Sequence, residues 1–221
     1  MRQARIAAQF IFKDGQPFIE EPLAITINLP GRHNVLNSLA AVAVATELDL
    51  PDAAVQRALA QFQGIDRRLQ QLGEIEWPGG RALIVDDYGH HPTEVAATLE
   101  AVRQAWPKRR LVLAFQPHRY TRTRDLLDDF GRVLGECEVL LVTEVYAAGE
   151  APIAGADGRA ICRAVRTRGR TEPVFVERVE NLAEALRAVL HDGDVVLTMG
   201  AGNIGTVAQE LRSRFAAGAA A

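Results

Sequence analysis

Three short polar strings in this chain carry residue types that could do chemistry. In Gln116-Pro117-His118-Arg119-Tyr120-Thr121-Arg122-Thr123-Arg124, three arginines recur within six positions. Guanidinium forks suit carboxylates and phosphates because they donate two parallel charge-assisted hydrogen bonds, so the string points to an anionic substrate. The same arginines could instead pair with Asp125, Asp128 and Asp129 just downstream. In Asp86-Asp87-Tyr88-Gly89-His90-His91-Pro92, two carboxylates stand beside two imidazoles. They could bind a metal, act as an acid–base pair, or hold ribose hydroxyls and cap a helix starting near Pro92. Adjacent histidines point in different directions, which counts against the metal. Gly200, Gly202 and Gly205 form a GxGxxG pattern, which serves either tight turning and close packing or a phosphate at a helix N-terminus.

Two further strings precede these. Gly31-Arg32-His33-Asn34-Val35-Leu36-Asn37 opens a helix with two amides three residues apart, and Gly64-Ile65-Asp66-Arg67-Arg68 follows the next helix. Amides can read a base edge and arginines can meet phosphates. A helix N-cap and a charged hinge account for them equally well.

The elements that must position these strings follow from periodicity. Apolar runs over Ala82–Val85, Leu111–Phe115, Val139–Thr143, Val174–Val176 and Val195–Met199 read as strands. Amphipathic helices fall between them, one carrying Val95, Leu99, Val102 and Trp106 on a single face. Strand and helix in alternation predict an α/β fold with an open, mostly parallel, doubly wound sheet, whose ligands bind beyond the carboxyl ends of the strands. All three polar strings sit at such ends. The GxGxxG follows the last strand, whereas a dinucleotide fingerprint belongs on the first, so its position argues against a dinucleotide.

Upstream, Ala7–Phe12 and Leu23–Leu29 read as two short strands joined by a turn at Asp14-Gly15. Asn34–Leu48 reads as a well-buried helix and Pro51–Phe62 as a second one. The Gly- and Pro-containing stretch from Gly73 to Gly80 suggests a boundary, giving domains of residues 1–72 and 73–221, and the alanine-rich tail from Phe215 to Ala221 is expected to fray.

Composition narrows the partners. The 221 residues are 48% hydrophobic, enough for one large or two small domains, and 25 Lys+Arg against 28 Asp+Glu leave no basic groove for nucleic acid. The two cysteines, Cys137 and Cys162, lack CxxC spacing, and no run approaches the ~20 apolar residues of a membrane span. The expectation is a soluble cytoplasmic protein without a disulfide framework; the sequence is silent on its oligomeric state.

Taken in order, the five strings, extended through Leu69, Thr93 and Glu94, closely resemble the Mur ligase family from about Leu29 to Leu211. The resemblance implies a three-domain ATP-dependent ligase in which residues 1–72 are the end of the central ATPase domain and 73–221 a Rossmann-like C-terminal domain. It implies that L-alanine is joined to UDP-N-acetylmuramate through an acyl-phosphate in peptidoglycan synthesis, with ATP and Mg2+ required. The family's phosphate loop and magnesium-holding residues do not occur in this chain, which is therefore read as a fragment, inactive alone. By the same resemblance Asn34 and Asn37 are candidates for adenine contacts, with His33 beside them among the ATP-binding residues. Arg68 is assigned to ATP phosphates or ribose, one of Asp86 and Asp87 to the ribose hydroxyls, and Tyr88, His90, Arg119 and Arg122 to L-alanine and the muramoyl end. The readings it competes with are a related ligase that recycles murein peptides, a dinucleotide-binding oxidoreductase domain, and a catalytically silent binding module.

Overall fold

Uninterrupted apolar runs become strands buried on both faces, because both faces of a parallel sheet are covered by helices. The computed structural model describes residues 4–8 and 23–218. The chain divides into two compact units, one of residues 1–65 with Glu100–Ala105, the other of residues 66–99 and 106–221.

In the first unit, β1 (Ala4–Ala8) pairs antiparallel with β2 (Leu23–Ile27). The alternation Leu23, Ile25, Ile27 turns the buried side of β2 toward α1 (Arg32–Glu47) and α2 (Asp52–Gln61), where Leu23, Ile25 and Val42 pack with Leu39, Val55 and Leu59. The Gln56 amide donates to the Ala24 carbonyl at 2.8 Å, tying α2 to β2. The predicted turn at Asp14-Gly15 lies outside the described residues. α1 is not the well-buried helix its composition suggested: only Ser38, Val42 and Ala45 are buried, while Leu36, Val44 and Leu48 are exposed. Alanine and leucine all round a helix do not by themselves say which sides are covered.

The second unit holds a six-stranded sheet in the order β3-β4-β8-β5-β6-β7. Its strands are β3 (Gln70–Trp77), β4 (Gly80–Asp87), β5 (Leu111–Phe115), β6 (Val139–Thr143), β7 (Val174–Val176) and β8 (Val195–Met199). All pairings are parallel except β3 with β4. Between them run α3 (Pro92–Ala105), α4 (Tyr120–Asp125), α5 (Leu127–Leu134), α6 (Gly158–Thr167), α7 (Leu182–Arg187) and α8 (Ile204–Gly218). Alternate strand residues serve opposite faces. Ile84, Val112, Ala114, Leu141 and Val196 pack with Leu182, Leu186, Val207 and Leu211 of α7 and α8. On the other face Phe115 meets Phe130 of α5 with ring centroids 5.5 Å apart. Helices cover both faces, as the doubly wound reading requires.

Two expectations fail here. The stretch from Gly73 to Gly80 is no linker: β3 occupies most of it as an antiparallel edge strand, and the units part at residue 65. A bulge between Gln71 and Gly73 shifts the register by one residue, which lets Leu72 share a face with Ile75 and Trp77 and hides the period-2 pattern. Nor does the tail fray from Phe215. α8 continues to Gly218, and Phe215 is 1% exposed, edge-on to Trp77 at 6.1 Å and beneath the Arg187 guanidinium at 4.5 Å.

Candidate functional site

The register of the sheet sets three strand ends level. Asp87 of β4 stands beside Met199 of β8, which stands beside Phe115 of β5. The Gln116 amide donates to the Met199 carbonyl and the Gly200 amide to the Asp87 carbonyl, so the strings after these strands leave the sheet together. β8 lies between β4 and β5, and the chain passes over it when it runs from β4 through α3 to β5. Such a crossover opens the crevice where ligands bind in doubly wound sheets.

Asp86 and Asp87 are 1% and 3% exposed, and every carboxylate oxygen has a partner. Asp86 accepts from Thr198 Oγ1 at 2.7 Å and from Arg67 Nε at 2.8 Å. Asp87 accepts from the Gly89 amide at 2.8 Å, Thr98 Oγ1 at 3.4 Å and the Leu69 amide at 3.0 Å. Burial raises the Asp87 carboxyl above its ordinary value, against the lowering effect of the Gly89 and Leu69 amides and Arg68. Both aspartates thereby hold the segment before β3, Asp86 through the Arg67 side chain and Asp87 through the Leu69 amide.

Beyond them runs a file of rings. Arg67 and Arg68 lie 5.0 and 5.9 Å from the Tyr88 centroid, Tyr88 meets His90 edge-on at 5.6 Å, His90 lies 5.4 Å from His118, and His118 stacks on Tyr146 at 5.6 Å. Glu94, in the first turn of α3, accepts from the His90 and His91 amides at 2.9 and 3.0 Å. Burial alone would raise the Glu94 carboxyl, but these amides and the field of His90 hold it below its usual range.

The three arginines of the second string take separate roles. Arg119 pairs with Glu150 at 3.5 Å, and Arg124 is spent on Asp125 at 2.7 Å. Asp128 and Asp129 pair with Arg168 and Arg132 instead. Arg122 donates through Nη1 to the His118 carbonyl at 3.0 Å and toward His118 Nδ1 at 3.2 Å. A guanidinium has no lone pair to offer, so this hydrogen bond requires His118 Nδ1 as acceptor, which the neutral ring with its proton on Nε2 provides. Burial, then the positive fields of His90, Arg122 and Arg119, lower the His118 pKa in the same sense. Thr121 donates its hydroxyl and its amide to Glu150 at 2.7 and 3.0 Å, which together with Arg119 keeps that carboxylate ionised.

The structure thus brings Arg68, Asp86, Asp87, Tyr88, His90, Arg119 and Arg122 to one end of the second unit. His33, Asn34 and Asn37 belong to the first two turns of α1 in the first unit; Asn34 Nδ2 donates to the Pro30 carbonyl at 2.7 Å and Asn37 is exposed. Sequence reasoning missed Arg67, His118, Tyr146 and Glu150. His118 and Arg67 adjoin chosen residues, and Tyr146 and Glu150 follow β6, so extending the strand-end rule to that strand would have found them. Among the described residues no group of three His, Cys, Asp or Glu could hold a metal ion, and no helix is long and apolar enough to cross a membrane.

The glycine pattern has a definite occupant. The Arg67 guanidinium lies against Gly205, where a Cβ would stand 2.7 Å from Nη2, and donates to the Gly200 and Gly202 carbonyls. A Cβ on Gly202 would meet the Tyr146 ring at 2.6 Å. A cation fills the cradle that a dinucleotide would need for its pyrophosphate.

Comparison with known proteins places the chain among relatives of one family. The chain is 58% identical over 195 residues to the UDP-N-acetylmuramate–L-alanine ligase of Methylococcus capsulatus, a match covering 88% of this chain and 41% of that protein. The crystal structure of the UDP-N-acetylmuramate–alanine ligase of Thermotoga maritima superposes with a TM-score of 0.72 at 28% identity, over 93% of this chain and 42% of that one. A murein peptide ligase from Psychrobacter arcticus shares the fold at 22% identity, with a TM-score of 0.61 over 87% of this chain and 39% of its own. The chain therefore spans about two-fifths of the length of these relatives. The Mur ligase glutamate ligase domain matches residues 67–202, more than half of the chain, and the chain belongs to the Mur ligase family.

Proposed function

We propose that this chain is the C-terminal part of a ligase that joins L-alanine to UDP-N-acetylmuramate at the expense of ATP, in bacterial peptidoglycan synthesis. The observation that carries the reading is the pairing of Arg122 with a neutral His118 beside Arg119, at a strand-end crevice, in a chain 58% identical to such a ligase. Arg122 offers its remaining N–H groups to the amino acid carboxylate, leaving the amine free to attack. The neutral His118 Nε2–H and the Tyr88–His90 pair border the space beside it, where crowding favours a small amino acid. Discrimination by a single methyl is worth only ~1 to 3 kcal/mol, so such crowding selects modestly.

ATP would supply the phosphoryl group that activates the muramoyl carboxylate, with Mg2+ offsetting the charge of its phosphates. Arg68, exposed beside Tyr88, suits the nucleotide's phosphates. His33, Asn34 and Asn37 suit its adenine end, two amides three residues apart being able to read a base edge. One of Asp86 and Asp87 is the candidate for the ribose hydroxyls, a contact that would have to share or replace the partners these carboxylates have within the chain. Most of the catalytic work in such a transfer is alignment and charge neutralisation. In the complete ligase, Arg122→Ala is expected to raise the KM for L-alanine more than that for ATP, measured by phosphate release. Equal effects on both would count against the assignment.

A further inference from the structure

The segment 67–69 enters the second unit in an uncommon conformation. Arg67 and Leu69 both have left-handed backbones, with φ of 58° and 49°, on either side of Arg68. Neither is glycine, so each costs free energy that the surroundings must offset. The surroundings do so from two sides. The Arg67 carbonyl accepts from the Tyr88 amide at 2.6 Å, the Arg67 amide donates to Gln70 Oε1 at 2.9 Å, and the Leu69 amide donates to Asp87. The Arg67 side chain reaches Asp86 at the end of β4 and the Gly200 and Gly202 carbonyls in the loop before α8. It can do this only because Gly205 carries no side chain.

From this geometry we infer that Arg67 is a positioning residue: its guanidinium, seated in the glycine loop before α8 and paired with Asp86, locks residues 67–69 in place and fixes where Arg68 stands. The glycine pattern is then an arginine socket. A lysine cannot substitute fully, because one ammonium cannot bind a carboxylate and two separate carbonyls in the planar fan a guanidinium provides. The inference rests on the reading of Arg68 as a nucleotide-binding residue.

Two measurements test it. In this chain, Arg67→Ala is expected to speed hydrogen exchange at the Tyr88 and Leu69 amides while leaving the central strand amides of Val112 and Leu113 unchanged. In the complete ligase, Arg67→Ala is expected to raise the KM for ATP at least about tenfold, the scale of losing a set of charge-assisted hydrogen bonds, with the KM for L-alanine within about twofold. Millimolar guanidinium should restore part of the loss, Arg67→Lys should fall between, and Gly205→Ala should reproduce the split with the arginine still present. Unchanged exchange at Tyr88 and Leu69, or an Arg67→Ala enzyme whose two KM values rise alike, would overturn the inference. Arg68→Ala is the control: if it raises the KM for ATP and Arg67→Ala does not, the positioning role fails alone. If Arg68→Ala leaves that KM unchanged, the nucleotide reading of the site fails first.

Discussion

The two units carry their candidate residues in opposite conditions. In the second, nearly every polar side chain at the strand ends is already engaged: Asp86 with Arg67 and Thr198, Asp87 with two amides, Gln116 with Asn203 and the Ile204 amide, Glu150 with Thr121. In the first, Asn37 stands exposed on a helix that also leaves Leu36 and Val44 exposed, as is Leu48 just after it. A sheet covered on both faces can hold a polar site to fixed geometry by itself. Among the described residues of the first unit, two strands and two helices gather a small apolar cluster around Leu23, Ile25 and Val42 and leave apolar side chains of α1 exposed.

The contrast can be broken first at its strongest point. Phe215→Ala removes a fully buried ring from the face shared by α8, β3 and Trp77, and is expected to cost about 3–5 kcal/mol in urea unfolding followed by tryptophan fluorescence. A loss under about 1 kcal/mol would mean that the end of α8 is loosely docked, and with it the second unit less rigid than described. Next, Gly202→Ala drives a methyl into Tyr146 and Gln116 and is expected to destabilise the second unit by about 1–3 kcal/mol, read in the same experiment.

A smaller effect is pH-dependent. His118 titrates below its ordinary 6.5 in the folded chain, so the unfolded chain takes up the proton first. The stability this group contributes is present above pH 6.5 and is lost as pH falls from there through the lower folded value. His118→Gln should flatten the fall of stability in that window. Smallest of all, Val44→Ser on α1 and Leu48→Ser just after it should change stability by no more than about 0.5 kcal/mol. A cost like that of Phe215→Ala would show that these side chains are covered in solution.

How much of this could be read from the sequence depended on how local the cause was. β5, β6, β7 and β8 match their apolar runs residue for residue, and for β5, β6 and β8 burial on both faces is what leaves so continuous an apolar string. Arg68, Tyr88, His90, Arg119 and Arg122 could be grouped in advance because strand ends gather at one edge of a parallel sheet. What escaped depends on distant partners. β3 was hidden by its bulge. The inward commitment of Asp86 is set by Arg67 and Thr198, which lie 19 and 112 residues away along the chain. The burial of Phe215 depends on Trp77, and nothing in an alanine-rich tail announces that contact. The glycine loop shows the same limit in a sharper form: its spacing fits a phosphate cradle, and only the folded chain puts a guanidinium there.

That socket also bears on the oxidoreductase alternative. NADH is expected to leave the unfolding temperature of this chain unchanged while ATP raises it slightly, since only a ligand bound by the folded state stabilises it. The central claim, however, concerns which acceptor the ligase uses, and a murein peptide ligase shares this fold. The most direct measurement is phosphate release by the complete ligase carrying this chain, with UDP-N-acetylmuramate and ATP, comparing L-alanine with a murein tripeptide as the second substrate. The account predicts release that depends on L-alanine and is indifferent to the tripeptide. Release driven by the tripeptide, with no response to L-alanine, would contradict it.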